Sequence, residues 1–199
     1  MERQNRKIRR MVIISLMAAA SVILAKTLKF PIFPAAPFLK MDAGEIPLVI
    51  TACILSTWDG LAALLLKEFL SLLLFGTNPF GLAADFLACG VFLLVFSLVI
   101  CGRVSPKWLL AGITAGALVR MAAAIPINLI ILQLQYGSTA EAIWAQMIYI
   151  IPFNGLKCLL DGVCLAVFSK QLQHLRHKAS PAKSAEKPRD AGTKTAVHP

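Results

Sequence analysis

Long apolar runs separated by short polar or turn-forming breaks organise the whole chain. Apolar residues dominate from Met11 to about Leu28, and again at about 46–57, 60–76, 80–101, 108–135 and 146–169. The breaks Asp59-Gly60, Asn78-Pro79 and Gly137-Ser138 carry turn chemistry. Runs of this kind predict helices in lipid, where every backbone polar group must be satisfied within the segment and ~20 helical residues cross a ~30 Å hydrocarbon layer. The second and third runs are short for that, and predict two short, tilted or re-entrant helices or a single bent hairpin. The first run exceeds a signal-peptide core, and Lys26 and Lys29 stand where a small-residue cleavage site would be, so it is expected to stay. The pattern predicts an all-α membrane protein of six transmembrane helices in a compact bundle, with a long outer loop between helices 1 and 2. Residues 1–178 would form this membrane domain, and the Ala/Lys/Ser/Pro segment 179–199 a basic, disordered cytoplasmic tail.

Composition agrees. With 58% hydrophobic and 15% charged residues and a mean hydropathy of +0.74, the chain is too apolar for a soluble domain with a polar surface. Its net charge of +10 does not point to nucleic acid, because the basic residues gather at the ends and no nucleic-acid-binding module is present. The five cysteines lie in or beside apolar runs without a Cys-x-x-Cys pair, and the three histidines sit in the polar tail. That combination predicts no disulfide, no metal site and no enzyme centre. Arg3, Arg6, Lys7, Arg9 and Arg10 precede the first run, Arg103 and Lys107 follow the fourth, and Lys170, Arg176 and Lys178 follow the sixth. By the positive-inside rule, a six-span, multi-pass protein of the cell membrane has both termini cytoplasmic.

Polar residues inside the apolar runs mark the candidate site. Asn154 and Lys157, in Ile151-Pro152-Phe153-Asn154-Gly155-Leu156-Lys157, share one helix face, and Ile125-Pro126-Ile127-Asn128 adds a second amide. At a ~1.5 Å rise per residue, Asn128 and Asn154 lie roughly 10–12 Å below the outer surface, with Lys157 one turn deeper. Ligand binding is one reading of the amides and interhelical hydrogen bonding the other. Lys157 either offers a free ammonium to an electron-rich ligand or pairs with Asp161 at i+4. The proline-rich segment Phe30–Pro47, containing Leu39, Lys40, Met41, Asp42 and Glu45, is expected to be a lid over the site or an interfacial loop.

Lys67, Glu68, Asp85 and Arg120 are expected to be paired, since each would cost about 2.5–3.5 kcal/mol alone at the membrane centre; a Glu68–Arg120 bridge is the default. Gly112 and Gly116 predict close internal helix packing. The small residues Ser15, Ala18, Ser21 and Ala25 form a smooth stripe that a partner helix, or a helix of this chain, can approach.

Taken in order, these features resemble the substrate-binding S components of energy-coupling-factor (ECF) vitamin transporters, specifically the riboflavin-specific, RibU type. The resemblance runs over about residues 8–170. It rests on a small-residue-rich first helix, Phe38-Leu39-Lys40-Met41-Asp42 before Glu45-Ile46-Pro47, Lys67, Asn128, and the Ile151–Lys157 motif. Glu68 and Asp85 depart from it, standing where Asn is expected, and Leu129 stands where an aromatic is expected. The resemblance implies a substrate-binding subunit that captures riboflavin outside the cell and delivers it inward. Asn128, Asn154 and Lys157 would hydrogen-bond the flavin, the loop from Leu39 to Glu45 would close over it, and riboflavin would be cargo rather than cofactor. Having no P-loop, the chain would draw energy from a transmembrane coupling protein (T component), met by the Ser15–Ala25 stripe, and two cytoplasmic ATPases. The alternatives are an S component for another vitamin or flavin, or a self-sufficient secondary transporter.

Overall fold

The computed structural model describes residues 2–179, so the tail from residue 180 onward lies outside the described residues. The chain runs α1 (Glu2–Thr27), β1 (Phe30–Pro31), β2 (Lys40–Met41), α2 (Ile46–Ile54), α3 (Thr57–Phe75), α4 (Pro79–Ile100), α5 (Pro106–Tyr136), α6 (Ala140–Val167) and α7 (Ser169–Ala179). Local chemistry sets the boundaries. Ser56 caps α3 by accepting from the Asp59 amide, and Asn78 caps α4 with Pro79 in the first turn. Gly76 and Gly137 end α3 and α5 at φ +54° and +62°, the left-handed conformation that a residue without Cβ adopts without strain.

Among the described residues, four helices are long and apolar enough to cross a membrane: Gln4–Thr27 within α1, and α4, α5 and α6. The other two apolar runs behave differently. α3 has 19 residues but carries Asp59, Lys67 and Glu68, all buried. α2 has only nine residues, about 13 Å at the helical rise, too short to cross the layer alone. The reason is visible at its start. The segment between α1 and α2 makes a small antiparallel pairing, Phe30 with Met41 and Pro31 with Lys40, and then descends into the bundle, so that Glu45, immediately before α2, meets Arg120 halfway along α5. The loop and the short α2 therefore continue one another into the bundle. The short amphipathic α7, separated from α6 at Phe168, was not foreseen; it buries Leu172, and Gln173 donates to the Val104 carbonyl at 2.6 Å.

Two apolar clusters hold the bundle together. One gathers Leu48, Leu64, Phe92, Phe96, Leu109 and Leu165; the other gathers Leu39, Met41, Leu132, Ile143, Met147 and Phe153. α4 and α5 approach closely because of the two glycines: a Cβ on Gly116 would stand 2.7 Å from a Phe92 ring carbon, and one on Gly112 2.8 Å from Ile100. The internal-packing reading of these glycines holds.

On α1 the small residues Ala18 and Ser21 are fully buried, and Ala25 is 9% exposed. Ser21 donates to the Gly44 carbonyl, and a Cβ on Gly44 would come within 2.7 Å of Ala25. Ser21 and Ala25 thus face this chain's own descending loop and Ala18 an apolar cluster, while Ser15 of the four faces outward.

Ala18→Trp and Gly116→Leu are therefore expected to lower folded yield and thermal midpoint in detergent, since overpacking a filled core costs roughly 1–3 kcal/mol. Ser15→Trp should match the parent protein in both measurements.

Candidate functional site

α5 and α6 repeat one local device: a proline inside the helix followed two residues later by asparagine, Pro126/Asn128 and Pro152/Asn154. Each amide turns back on its own helix. Asn128 Nδ2 donates to the Ala124 carbonyl at 2.8 Å, and Asn154 Nδ2 to the Ile150 carbonyl at 2.9 Å. One N–H of each amide is spent on the backbone; the second stays available.

Below the amides, between the two apolar clusters, lies a continuous chain of ion pairs. Arg120 donates from Nε to Asn154 Oδ1 at 2.9 Å and through both terminal nitrogens to Glu45, a bidentate pair in which each side chain is 1% exposed. Glu45 also holds Lys157 at 2.6 Å. Lys157 reaches Asp85 at 3.3 Å and Asp42 at 3.4 Å. Asp85 then joins Lys67, which is 2.6 Å from Glu68. The network ties α3, α4, α5 and α6 to the loop before α2. Charges buried at this depth persist only when paired and hydrogen-bonded, and here each cation has at least one carboxylate.

Against the network lies a cavity of about 350 Å³ whose lining includes Phe38, Leu39 and Lys40 of the loop before α2. Its walls are apolar, from Ile131, Leu132, Ile150 and Phe153 among others, with convergent polar groups, the usual composition of a small-molecule site. The cavity brings together six of the sequence-predicted site residues: Asn128, Asn154, Lys157, Leu39, Lys40 and Asp42. Met41 and Glu45 are not in its lining; Met41 is buried in the outer apolar cluster and Glu45 beneath Arg120. The lining also includes Lys67, Asp85 and Arg120, which sequence reasoning had marked as charges in need of partners but not as site residues. Their presence at membrane depth was the signal; their convergence is a property of the tertiary structure.

Two expected pairings are replaced. Arg120 meets Glu45 rather than Glu68, because the descending loop brings a carboxylate to the middle of α5. Lys157 meets Glu45, Asp85 and Asp42 rather than Asp161, whose Oδ2 is buried without a hydrogen-bond partner. The Lys157 ammonium is thus engaged rather than free.

Comparison with known proteins agrees with this architecture. The model of the family described as ECF transporter, substrate-specific component, matches residues 9–168. Riboflavin transporter RibU of Streptococcus thermophilus is 29% identical over 178 residues, covering 84% of each chain. Riboflavin transporter RibU of Lactococcus lactis subsp. cremoris is 28% identical over 195 residues, covering 82% of this chain and 95% of that one. Among solved structures, the S component of a bacterial ECF transporter superposes with a TM-score of 0.73 at 26% identity, covering 84% of this chain and 97% of that one. ThiT from Listeria monocytogenes shares the fold, with a TM-score of 0.59 at 18% identity over 85% of this chain and 98% of that one.

Removing one member of a buried ion pair strands its partner and typically costs 3–5 kcal/mol, whereas replacing both with apolar groups is often neutral. Glu45→Leu alone is expected to reduce the thermal midpoint and folded yield sharply in detergent. The double replacement Glu45→Leu with Arg120→Met should recover a large part of that loss; a double variant less stable than Glu45→Leu would show that the pair is not the dominant contact of either side chain.

Proposed function

The chain belongs to the family of substrate-specific components of ECF transporters, and from that premise we propose that it captures riboflavin outside the cell and delivers it inward. The observation that carries this reading is the cavity lined by Asn128, Asn154 and Lys157 together with Leu39 and Lys40, in a chain whose relatives of nearly equal length are riboflavin transporters. Riboflavin matches the lining in kind: its fused rings offer flat apolar faces to Leu132, Ile150 and Phe153, and its ring edge and ribityl hydroxyls offer donors and acceptors to the amides.

In this reading Asn128 contributes its carbonyl and second N–H, and Asn154 its second N–H. Lys157 exchanges its longest contact, the 3.4 Å one to Asp42, for an acceptor atom of the ligand. Because Asp42 lies in the loop before α2, that exchange ties ligand arrival to movement of the loop from Leu39 to Glu45. α1 to α6 form the membrane bundle, α2 and the descending loop together completing one crossing, with both termini cytoplasmic. The basic residues at the start of α1, between α4 and α5, and in α7 support that orientation. Energy comes from a T component and two cytoplasmic ATPase subunits that work with this subunit.

Asn128→Ala and Asn154→Ala are expected to weaken riboflavin binding by roughly ten- to a hundredfold, the cost of a lost partner in a desolvated hydrogen bond, with folded yield little changed for Asn128→Ala and reduced for Asn154→Ala, which also removes the acceptor of Arg120 Nε. Flavin fluorescence quenching on purified protein measures this, and equal affinity in the parent and both variants would exclude the assignment. For orientation, in a cysteine-free background a single cysteine at Ser138 should react with an impermeant reagent in intact cells, while one at Lys107 stays protected; the reverse pattern would invert the topology.

A further inference from the structure

Within the ion-pair chain the cations are covered and one carboxylate is left open. Side-chain exposure is 5% for Lys67 and Lys157 and 1% for Arg120, against 26% for Asp85. Glu45, Glu68 and Asp42 are at 1%, 8% and 12%. The three N–H donors of the Lys157 ammonium face three carboxylates, and across the network Lys67, Arg120 and Lys157 meet four: Asp42, Glu45, Glu68 and Asp85. A negatively charged ligand group finds no uncommitted cation in this network. Lys67, Arg120 and Lys157 line the cavity already paired, and the most exposed member of the network beside them is Asp85.

Asp85 is built for that use. Its Oδ2 accepts from Lys67 and its Oδ1 from Lys157, which fixes its plane. An ionised carboxylate has about four lone-pair sites, so two remain. Along the cavity its α4 neighbours are Gly81, Leu82, Ala84 and Ala88, and a Cβ on Gly81 would meet nothing within 4 Å. Beside Leu82, the three small residues leave room for a flat ligand to approach the carboxylate along α4.

We propose that Asp85 accepts a hydrogen bond from an N–H or O–H donor of the ligand and so selects ligands that present a donor there. This deepens the riboflavin reading and rests on it: riboflavin carries such donors in its imide N–H and its ribityl hydroxyls. Lys67 and Lys157 then act on selectivity through Asp85, as residues that position it.

The test compares riboflavin with N3-methylriboflavin, which lacks the imide donor, and lumiflavin, which lacks the ribityl hydroxyls, by fluorescence quenching on the full chain in detergent. Asp85→Leu should weaken riboflavin by roughly ten- to a hundredfold, yet cost little for whichever analogue lacks the donor in contact. Asp85→Asn keeps the shape and one acceptor oxygen; it should fold like the parent and show a smaller discrimination between riboflavin and that analogue. If both variants weaken all three ligands by one common factor, or none of them, Asp85 is only a brace between two lysines and the proposal fails while the riboflavin reading stands. Failure of the unmodified protein to bind riboflavin would overturn both.

Discussion

Everything in this bundle is arranged around the cost of holding seven charged side chains between two apolar clusters. An ionised group at that depth is tolerated only with partners in good geometry, and the partners here come from different segments: Glu45 and Asp42 from the loop before α2, Lys67 and Glu68 from α3, Asp85 from α4, Arg120 from α5 and Lys157 from α6. None of these segments can be displaced far without stranding a charge. The network therefore acts as an internal register mark for helices whose lipid-facing sides, rich in residues such as Leu65, Leu98 and Leu110, say nothing about depth or rotation.

The same constraint shapes the site. Glu45 ties the α1–α2 segment into the bundle through Arg120 and Lys157, and Gly44 of that segment packs on α1 at Ser21 and Ala25. The same segment lines the cavity with Phe38, Leu39 and Lys40. It is joined to the ionic chain where Asp42 and Glu45 both touch Lys157. In the proposed reading, a ligand that competes for Lys157 would act on the same segment through Asp42.

Much of the molecule was legible along the chain. Apolar runs, basic flanks and turn residues at Asp59-Gly60, Asn78-Pro79 and Gly137-Ser138 marked the helices, because in lipid the hydropathy of a run and the chemistry of its ends are nearly sufficient to specify a helix. Asn128, Asn154 and Lys157 were legible as site candidates because a polar side chain inside an apolar run is costly wherever it ends up. The pairings were not legible. Glu45 lies in a loop that spacing assigns to the outer surface, and its contact with Arg120 is 75 residues distant in sequence; a rule of local periodicity cannot reach it.

The sequence by itself determined that this is a helical membrane protein, which of its residues sit expensively inside the apolar layer, and, through its motifs, the family it belongs to. These follow from local quantities: hydropathy, helical spacing and turn chemistry. The packing in three dimensions decides which charge meets which, that Ser21 and Ala25 of α1 face the chain's own loop, and that Lys67 and Lys157 are covered while Asp85 is partly open to the cavity. Those outcomes depend on how far one segment descends between the others, and that depth is set by the combined desolvation and pairing of groups from five parts of the chain at once.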